Sequence, residues 1–379
     1  MILHLVNDEK IIGRVIDMFE EAFPEENLFV VANRASSSHF KYVKADYHVL
    51  SRVDFMQRKD EFEFTHVYIH LLNARKINIL KKVNTSHAAV YWIIWGLDLY
   101  NKLLQVRGFE MIDKQSSYYR NHLTFSRLFP LFSQWKQKLY AASALRFISQ
   151  RIDYIVTDTV EQDYDYLVRY YPSLQNKPWK DFFYYPLDVI LGPKLLTAQV
   201  TGHDIIIGNS ASLTNNHEYV MRILSRFSIG ERRVVVPLSY SGKRGYVESV
   251  VKAGNSYFKE NFVPLLKFMP LDEYNRLQMS IGIALYGNWR QEAIGNILVA
   301  LYLGSKVFLS RVNPVYEWAL SRRLVVFALE DISQEAIDTP LPHADMLWNR
   351  EILISLYNKE RMLKLMREMH NDSKANISL

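Results

Sequence analysis

The sequence predicts an α/β protein made of two successive βαβ domains. Short apolar runs alternate with longer amphipathic ones along the chain. That alternation is the pattern of a mostly parallel sheet covered by helices. A stretch at 170–196 breaks the rhythm with four prolines and little periodicity, and a second series of the same kind follows it. Neither an internal repeat nor a low-complexity tract is present.

Taken in order, "ILHLV" (2–6), "LFVVA" (28–32), "HVYIHLL" (66–72), "AVYWIIW" (89–95) and "DYIVT" (153–157) read as strands. Between the first two, residues 8–23 place Ile11, Ile12, Val15, Ile16 and Phe19 on one helical face. The proline-bearing stretch reads as a linker. The second series has strands at "DIIIGNS" (204–210), "RRVVVPLSY" (232–240), "FVPLLKFM" (262–269), "SIGIALY" (280–286) and "SKVFLS" (305–310). Residues 346–370 read as one last long helix, with basic residues toward its C-terminal end as the helix dipole favours. The expected division is a domain at 1–172, a linker at 173–200, a domain at 201–340 and a terminal helix at 341–379, with a ligand cleft between the domains. A single larger α/β domain is the alternative.

The chain has 379 residues, enough to bury a substantial core, and no cysteine. Disulfides, thiolate-ligated zinc and cysteine nucleophiles are excluded, and a reducing compartment fits. Aromatic residues make up 13%, with 24 Tyr; sugar or base stacking and a tyrosine-rich core both account for that. The start, "MILHLVNDEK", lacks the basic n-region of a signal peptide. No apolar run approaches the ~20 residues that span a bilayer. A cytoplasmic protein is expected.

Net charge is +6, which suits nucleic acid, an anionic membrane or phosphorylated ligands. From Lys114 to Ile152 there are seven basic residues and no acid: Lys114, Arg120, Arg127, Lys136, Lys138, Arg146 and Arg151. They form either a binding stripe or solvated helix faces.

Ligands of α/β proteins sit at the carboxyl ends of strands, and three strand ends in the second half carry ligand chemistry. At "IIIGNS" an apolar strand stops at Gly208, Asn209 and Ser210. Gly208 lets backbone approach closely, and the helix after it would offer free N–H groups to an anion; a plain N-capped turn is the alternative. A second strand ends at Pro237, Ser239 and Tyr240 before a glycine loop holding Lys243 and Arg244. The third, "YGNWRQEAIGN", delivers Arg290, Gln291, Gly295 and Asn296 to a helix start, where a guanidinium can clamp a diphosphate. No GxGxxG and no Walker lysine motif occurs. In the first half, "YWIIWGLDLY" ends a strand at Trp95 and Gly96, with Asp98 as general base, acceptor orienter or N-cap. His70 closes another strand, as a ligand contact or a core histidine. No His/Asp/Glu grouping has metal-ligand spacing.

Several of these stretches together resemble one family: "WIIWGLDLY" (92–100), "IIIGNSASLTNNHE" (205–218), "VVVPLSY" (234–240), "LDEYNRL" (271–277) and "RQEAIGNILVALYLGSKVFLSRVNP" (290–314). It is the bacterial TDP-4-acetamido-4,6-dideoxygalactose:lipid II transferases, the 4-α-L-fucosyltransferase-like enzymes of enterobacterial common antigen assembly. The sequence departs from the family pattern at Ile93, at "GNSASL" and at "RQEA".

The resemblance implies a GT-B fold, with two Rossmann-like domains facing a cleft and a C-terminal helix crossing back. It implies a nucleotide-sugar donor on the second domain, TDP-linked first, with GDP-fucose or a UDP-sugar open. The polyprenyl-diphosphate-linked glycan acceptor falls to the first domain. No metal cofactor and no nucleic acid partner are implied. Donor contacts fall to Gly208, Asn209, Ser210, Asn216, Glu218, Pro237, Ser239, Tyr240, Tyr274, Arg290, Gln291, Gly295 and Asn296. Asp98 is then catalytic, His70, Trp95 and Gly96 meet acceptor, and 114–152 docks on the anionic inner face of the cell membrane. A nucleotide-sugar 2-epimerase on the same architecture and a non-catalytic membrane-binding protein are the rivals.

Overall fold

The structure is a computed structural model describing residues 1–43, 48–114, 116, 117 and 130–377. The chain forms two compact units. The first is Met1–Phe109 with Leu131–Pro186 and Lys359–Leu379; the second is Glu110–Pro130 with Leu187–Asn358.

The first unit is built on seven strands: β1 (Ile2–Val6), β2 (Asn27–Val31), β3 (Val49–Ser51), β4 (His66–His70), β5 (Ala89–Ile94), β6 (Tyr154–Asp158) and β7 (Trp179–Phe182). They pair in the order β3-β2-β1-β4-β5-β6-β7, every pair parallel. This is a doubly wound sheet, and its order reverses between β1 and β4. The inner strands β1, β2, β4 and β5 are buried along their length because helices cover both faces. The helix Ile12–Ala22 turns Ile12, Val15, Ile16 and Phe19 inward, as its periodicity predicts.

Much of the aromatic content is core. Phe29, His4, Tyr68, Tyr91 and Tyr154 are register partners on β2, β1, β4, β5 and β6. Their rings stack as a ladder, with successive centroids 4.5, 5.3, 4.8 and 4.8 Å apart. In-register partners on one face lie close enough for such pairing.

The second unit has six parallel strands: β8 (Asp204–Ile207), β9 (Val234–Pro237), β10 (Phe262–Leu265), β11 (Ile281–Tyr286), β12 (Lys306–Leu309) and β13 (Phe327–Ala328). The order β10-β9-β8-β11-β12-β13 repeats the doubly wound pattern, reversing between β8 and β11. Ile205, Ile207, Val234, Val236, Leu285 and Phe308 anchor one core cluster with Val220 and Leu224 of the helix His217–Leu224.

The elements differ from expectation where edges and breaks are concerned. The stretch 173–200, expected as a linker, supplies β7 at the sheet edge and the helix Leu187–Leu195, kinked at Gly192 (φ 65°) before Pro193. An edge strand has one open flank, so "WKDF" needs no apolar run to pair. The last helix is two, His343–Leu356 and Lys359–Ile377, interrupted at Tyr357 and Asn358. The first belongs to the second unit and the second to the first unit. Within the first unit, Lys359 pairs with Glu21 at 2.6 Å, Arg361 with Asp181 at 2.9 Å, and the Met369 carbonyl accepts from Tyr91 Oη at 2.8 Å.

The basic segment 114–152 is not one face of one body. Lys114 falls in the second unit, and Lys136, Lys138, Arg146 and Arg151 lie on the first unit's helix Pro130–Arg151. Arg120 and Arg127 lie outside the described residues. Among the described residues no helix is long and apolar enough to cross a membrane.

Candidate functional site

In the second unit, three loops at the carboxyl ends of β8, β9 and β11 are tied into one cradle. The β8 strand ends in Gly208, whose φ of 67° is in the left-handed region. A Cβ there would come within 2.5 Å of Asn215 Oδ1, so only glycine fits the turn. Asn215 is fully buried and holds the turn. Its Oδ1 accepts from the Asn209 N–H at 3.1 Å, and its Nδ2 donates to Ser210 Oγ at 3.3 Å. Tyr240, beyond β9, donates through Oη to the Asn209 carbonyl at 3.0 Å, and its own carbonyl accepts from Ala211 N at 2.9 Å. Asn216 sits at φ 51° and donates to the Gly287 carbonyl at 2.8 Å. Its Oδ1 accepts from Asp113 N at 3.0 Å.

The β11 loop adds the charged part. Arg290 pairs with Glu292 at 3.1 Å, each side chain about nine-tenths covered (12% and 14% exposed). The same Glu292 oxygen accepts from Asn288 Nδ2 at 3.0 Å and from Thr214 Oγ1. Four polar atoms here are buried without a protein partner: Asn209 Oδ1, Asn288 Oδ1, Trp289 Nε1 and Arg290 Nε. Buried polar atoms cost free energy unless bonded, so a polar ligand has partners to meet. The helix Ile294–Leu303 then starts from Ala293 at φ 65° with no side-chain cap. Gly295, on its first turn, is exposed, and a Cβ added there would meet no neighbouring side chain or loop within 4 Å. Its first N–H groups and positive dipole end are a site for an anion. Tyr274 Oη donates to Asn296 Oδ1 at 2.7 Å. Burial raises the phenols of Tyr274, Tyr286 and Tyr240; the charge of Tyr240 adds to the shift at Tyr274, those of Tyr274 and Tyr240 add to it at Tyr286, and that of Glu292 adds to it at Tyr240.

In the first unit, the carboxyl ends of β4 and β5 are organised by buried groups. Asp98 is 2% exposed. Oδ2 accepts from Leu72 N and Trp92 Nε1, both at 2.7 Å; Oδ1 accepts from Trp95 N at 3.0 Å and Leu99 N at 3.2 Å. Burial raises its carboxyl pKa, and these donors oppose that. A carboxylate has about four lone-pair sites, and here four donors fill them.

His70 is equally enclosed, in a chain whose proton positions follow from one end. Asn27 Nδ2 donates to the Phe19 and Phe23 carbonyls, leaving Oδ1 to accept from His4 Nε2 at 3.0 Å. Burial keeps both histidines neutral, with pKa lowered to about 3 for His4 and lowered well below the usual range for His70. His4 Nδ1 therefore accepts from His70 Nε2 at 3.2 Å. His70 Nδ1 then accepts from Tyr184 Oη at 2.6 Å, and Tyr184 accepts from Trp95 Nε1 at 2.7 Å. One proton arrangement satisfies every member. The ammonium of Lys76 is buried beside this chain, bonded to the His70 and Leu71 carbonyls, and burial lowers its pKa to about 7.

Two comparisons with known proteins bear on this geometry. The model of the 4-alpha-L-fucosyltransferase family, glycosyl transferase group 56, matches residues 111–345, well over half of the chain. The chain belongs to this family. It is a glycosyltransferase, and its two doubly wound sheets are the GT-B fold, which solved glycosyltransferases share. The Anabaena Alr3699/HepE structure in complex with UDP and glucose superposes with TM-score 0.64 at 10% identity, covering 98% of this chain and 99% of that one. A glycosyltransferase from Rickettsia africae gives 0.63 at 12% identity, covering 99% and 98%. Sucrose-phosphate synthase from Thermosynechococcus elongatus gives 0.63 at 10% identity, covering 99% of each. At such identities the likeness is one of fold.

Within the glycosyltransferase, the expected donor residues divide into those open to a ligand and those spent on the loops. Asn209, Ser239, Tyr240, Gly295 and Asn296 keep surface, and Glu218 is half-buried on the first turn of His217–Leu224. Ser210, Asn216, Pro237 and Gln291 are buried. Arg290, expected to be a free clamp, is paired with Glu292, because "RQE" places acid and base in one tight loop. Asp98 and His70 hold loops by filled hydrogen-bond sets, and Gly96 (φ 77°) makes the turn between Trp95 and Asp98. Trp95 stays partly exposed. Asn215, Asn288 and Thr214 escaped the sequence reading; their polar types in the loops that follow Gly208 and Gly287 were the signal. Among the described residues no group of three or more His, Asp or Glu side chains could hold a metal ion.

Proposed function

We propose that this glycosyltransferase moves a deoxy- or amino-deoxysugar from a nucleotide diphosphate, TDP first, to a polyprenyl-diphosphate-linked oligosaccharide, without a metal ion. The uncapped N-terminus of Ile294–Leu303, with Gly295 exposed on its first turn and the unpartnered Arg290 Nε in the loop that leads into it, carries the reading. Preformed donors of this kind stabilise the charge that develops on a leaving diphosphate. The UDP bound to the similar Anabaena protein supports a nucleoside diphosphate as the donor's leaving part. Asn209, Ser239, Tyr240, Tyr274 and Asn296 would meet the nucleotide-sugar, while Gly208, Ser210, Asn215 and Asn216 shape the turn. In the first unit Trp95 would meet acceptor, with Asp98 and His70 as positioning residues.

We further propose docking on an anionic membrane surface through the helix Pro130–Arg151. Trp135 and Leu139 are 56% and 50% exposed one turn apart, with Lys136 and Lys138 beside them. Exposed apolar and basic side chains on one helix suit an interfacial position. Nothing in the residues calls for a nucleic acid partner.

Calorimetry with TDP, UDP, GDP, CMP and ADP, in EDTA and again in Mg²⁺, tests the donor. Saturable binding of one nucleoside diphosphate in EDTA is expected, TDP above the rest. Binding of none, or binding that requires Mg²⁺, would overturn the reading.

A further inference from the structure

Asp8, Asp98 and Asp158, at or just beyond strand ends on the carboxyl edge of the first sheet, differ in what is left of their hydrogen-bonding capacity. Asp8, after β1, has a fully covered side chain held by Arg34 Nε, Lys41 N and Tyr42 N, each at 2.8 Å. These bonds and the Arg34 charge keep its carboxyl below the usual range despite burial. Asp98 is saturated by four donors. Asp158, the last residue of β6, is different. It is partly accessible and accepts from Thr159 Oγ1 at 3.1 Å and from the Tyr184 N–H. Two of its four lone-pair sites are thereby accounted for.

The turn that presents Asp158 is a strained one. Thr159, a β-branched residue, is held at φ 71°, and the Val160 N–H closes back on the Asp158 carbonyl at 2.8 Å. Such conformations persist where the surroundings over-determine them. Here the Thr159 N–H is fixed to the Phe182 carbonyl at 2.8 Å. Beside Asp158, Tyr184 is the phenol that receives Trp95 Nε1, so the same residue that donates its N–H to Asp158 also orients the exposed indole.

We propose that Asp158 is a catalytic residue that takes the proton of the acceptor hydroxyl during transfer. The bond between the acceptor oxygen and the sugar C1 forms as the bond from C1 to the diphosphate oxygen breaks. The electron pair leaves with the diphosphate, and the hydroxyl proton goes to the Asp158 carboxylate. This rests on the reading that the first unit takes the acceptor.

The electrostatics suit the role. Burial pushes the Asp158 carboxyl up to about 7, with the charge of Asp181 adding to the shift and the Thr159 and Tyr184 donors opposing it. A base is most effective when its pKa lies near the working pH. The groups around it are Thr159 on its own turn and Asp181, Tyr184 and Tyr185 from the β7 side. Asp181 is paired with Arg361 at 2.9 Å. Arg14 lies over the Tyr185 ring at 5.6 Å. Glu9, on the loop after β1, is another partly accessible carboxylate near that end of the sheet; it accepts from Asn7 Nδ2 at 3.0 Å and serves as the control.

The test compares wild type, Asp158→Asn, Asp158→Glu and Glu9→Gln. Transfer is measured from a TDP-linked amino-deoxysugar to a short-chain prenyl-diphosphate-linked oligosaccharide across pH 5–9. TDP affinity and Tm are measured on the same samples. Asp158→Asn should lower kcat by about 10²–10⁴-fold with TDP affinity and Tm near wild type. The wild-type acid limb near pH 7 should vanish in Asp158→Asn, while Asp158→Glu keeps measurable turnover and Glu9→Gln stays close to wild type. Turnover of Asp158→Asn within threefold of wild type, or the loss falling on Glu9→Gln, would overturn the assignment and leave the donor reading intact. Absence of transfer by wild type that still binds TDP would overturn the acceptor reading, and the assignment with it.

Discussion

Replacing Asp98 by Asn separates a loop-holding carboxylate from a reacting one. Asn keeps the shape but exchanges one acceptor oxygen for an NH₂ group. Whichever way the amide turns, two of the four donors on Asp98 then face another donor: Leu72 N with Trp92 Nε1, or Trp95 N with Leu99 N. A hydrogen bond to a charged acceptor contributes about 1.5–3 kcal/mol, so two lost bonds cost about 3–6 kcal/mol. Removing a buried charge returns part of this, and a net loss of about 2–4 kcal/mol is expected. At about 2–4 °C per kcal/mol for a domain of this size, Tm falls by roughly 4–16 °C. The assay is thermal unfolding by circular dichroism, alongside transfer kinetics well below the lowered Tm. Activity should recover at low temperature to within about tenfold of wild type. An unchanged Tm with turnover down by about 10²-fold or more would refute the structural role and make Asp98 a reacting group.

Gly208→Ala should lower Tm and weaken nucleotide binding together, because a Cβ would lie 2.5 Å from Asn215 Oδ1 at φ 67°; unchanged calorimetric affinity and Tm would show that the turn relaxes freely. Arg290→Ala should weaken nucleotide binding by about 1.5–3 kcal/mol, the range for a charge-assisted bond, since it also leaves Glu292 without its cation; equal affinity in titration calorimetry would remove Arg290 from the site. Stability should fall on acidification. Burial lowers His4 and His217 from 6.5 to about 3, so the unfolded chain takes up protons that the fold refuses, and stability is lost as pH drops from 6.5 toward 3. Asp158, raised from 3.8 to about 7, acts oppositely and loses its contribution as pH rises through 7. His217→Gln should therefore flatten the acid side of a Tm-against-pH series, and an unchanged slope would refute the assignment.

The sequence by itself determined the alternation of strands and helices, the two-sheet architecture and where three strands of the second half end. Those are local properties: apolar periodicity buries a strand or one helix face, and glycine with small polar residues ends it. β3, β7 and β13 were not legible because short edge strands need little apolar pattern. The break at Tyr357 and Asn358 was hidden by an amphipathic pattern that continues past it.

Only the tertiary structure decided which candidate side chains are open. Asp98, His70, Asn216 and Arg290 have the residue types of a reactive site, yet each is engaged by partners up to 114 residues away in sequence, as Tyr184 is from His70. Asp158 carries no motif, and the sequence around Ile294 does not show that its helix starts without a capping side chain. Their chemistry comes from what surrounds them: partial burial beside Asp181 for one, and the absence of a capping side chain for the other. Hydrogen-bond saturation and desolvation are properties of the folded neighbourhood, and they separate the polar residues that build the loops from those left to meet a ligand.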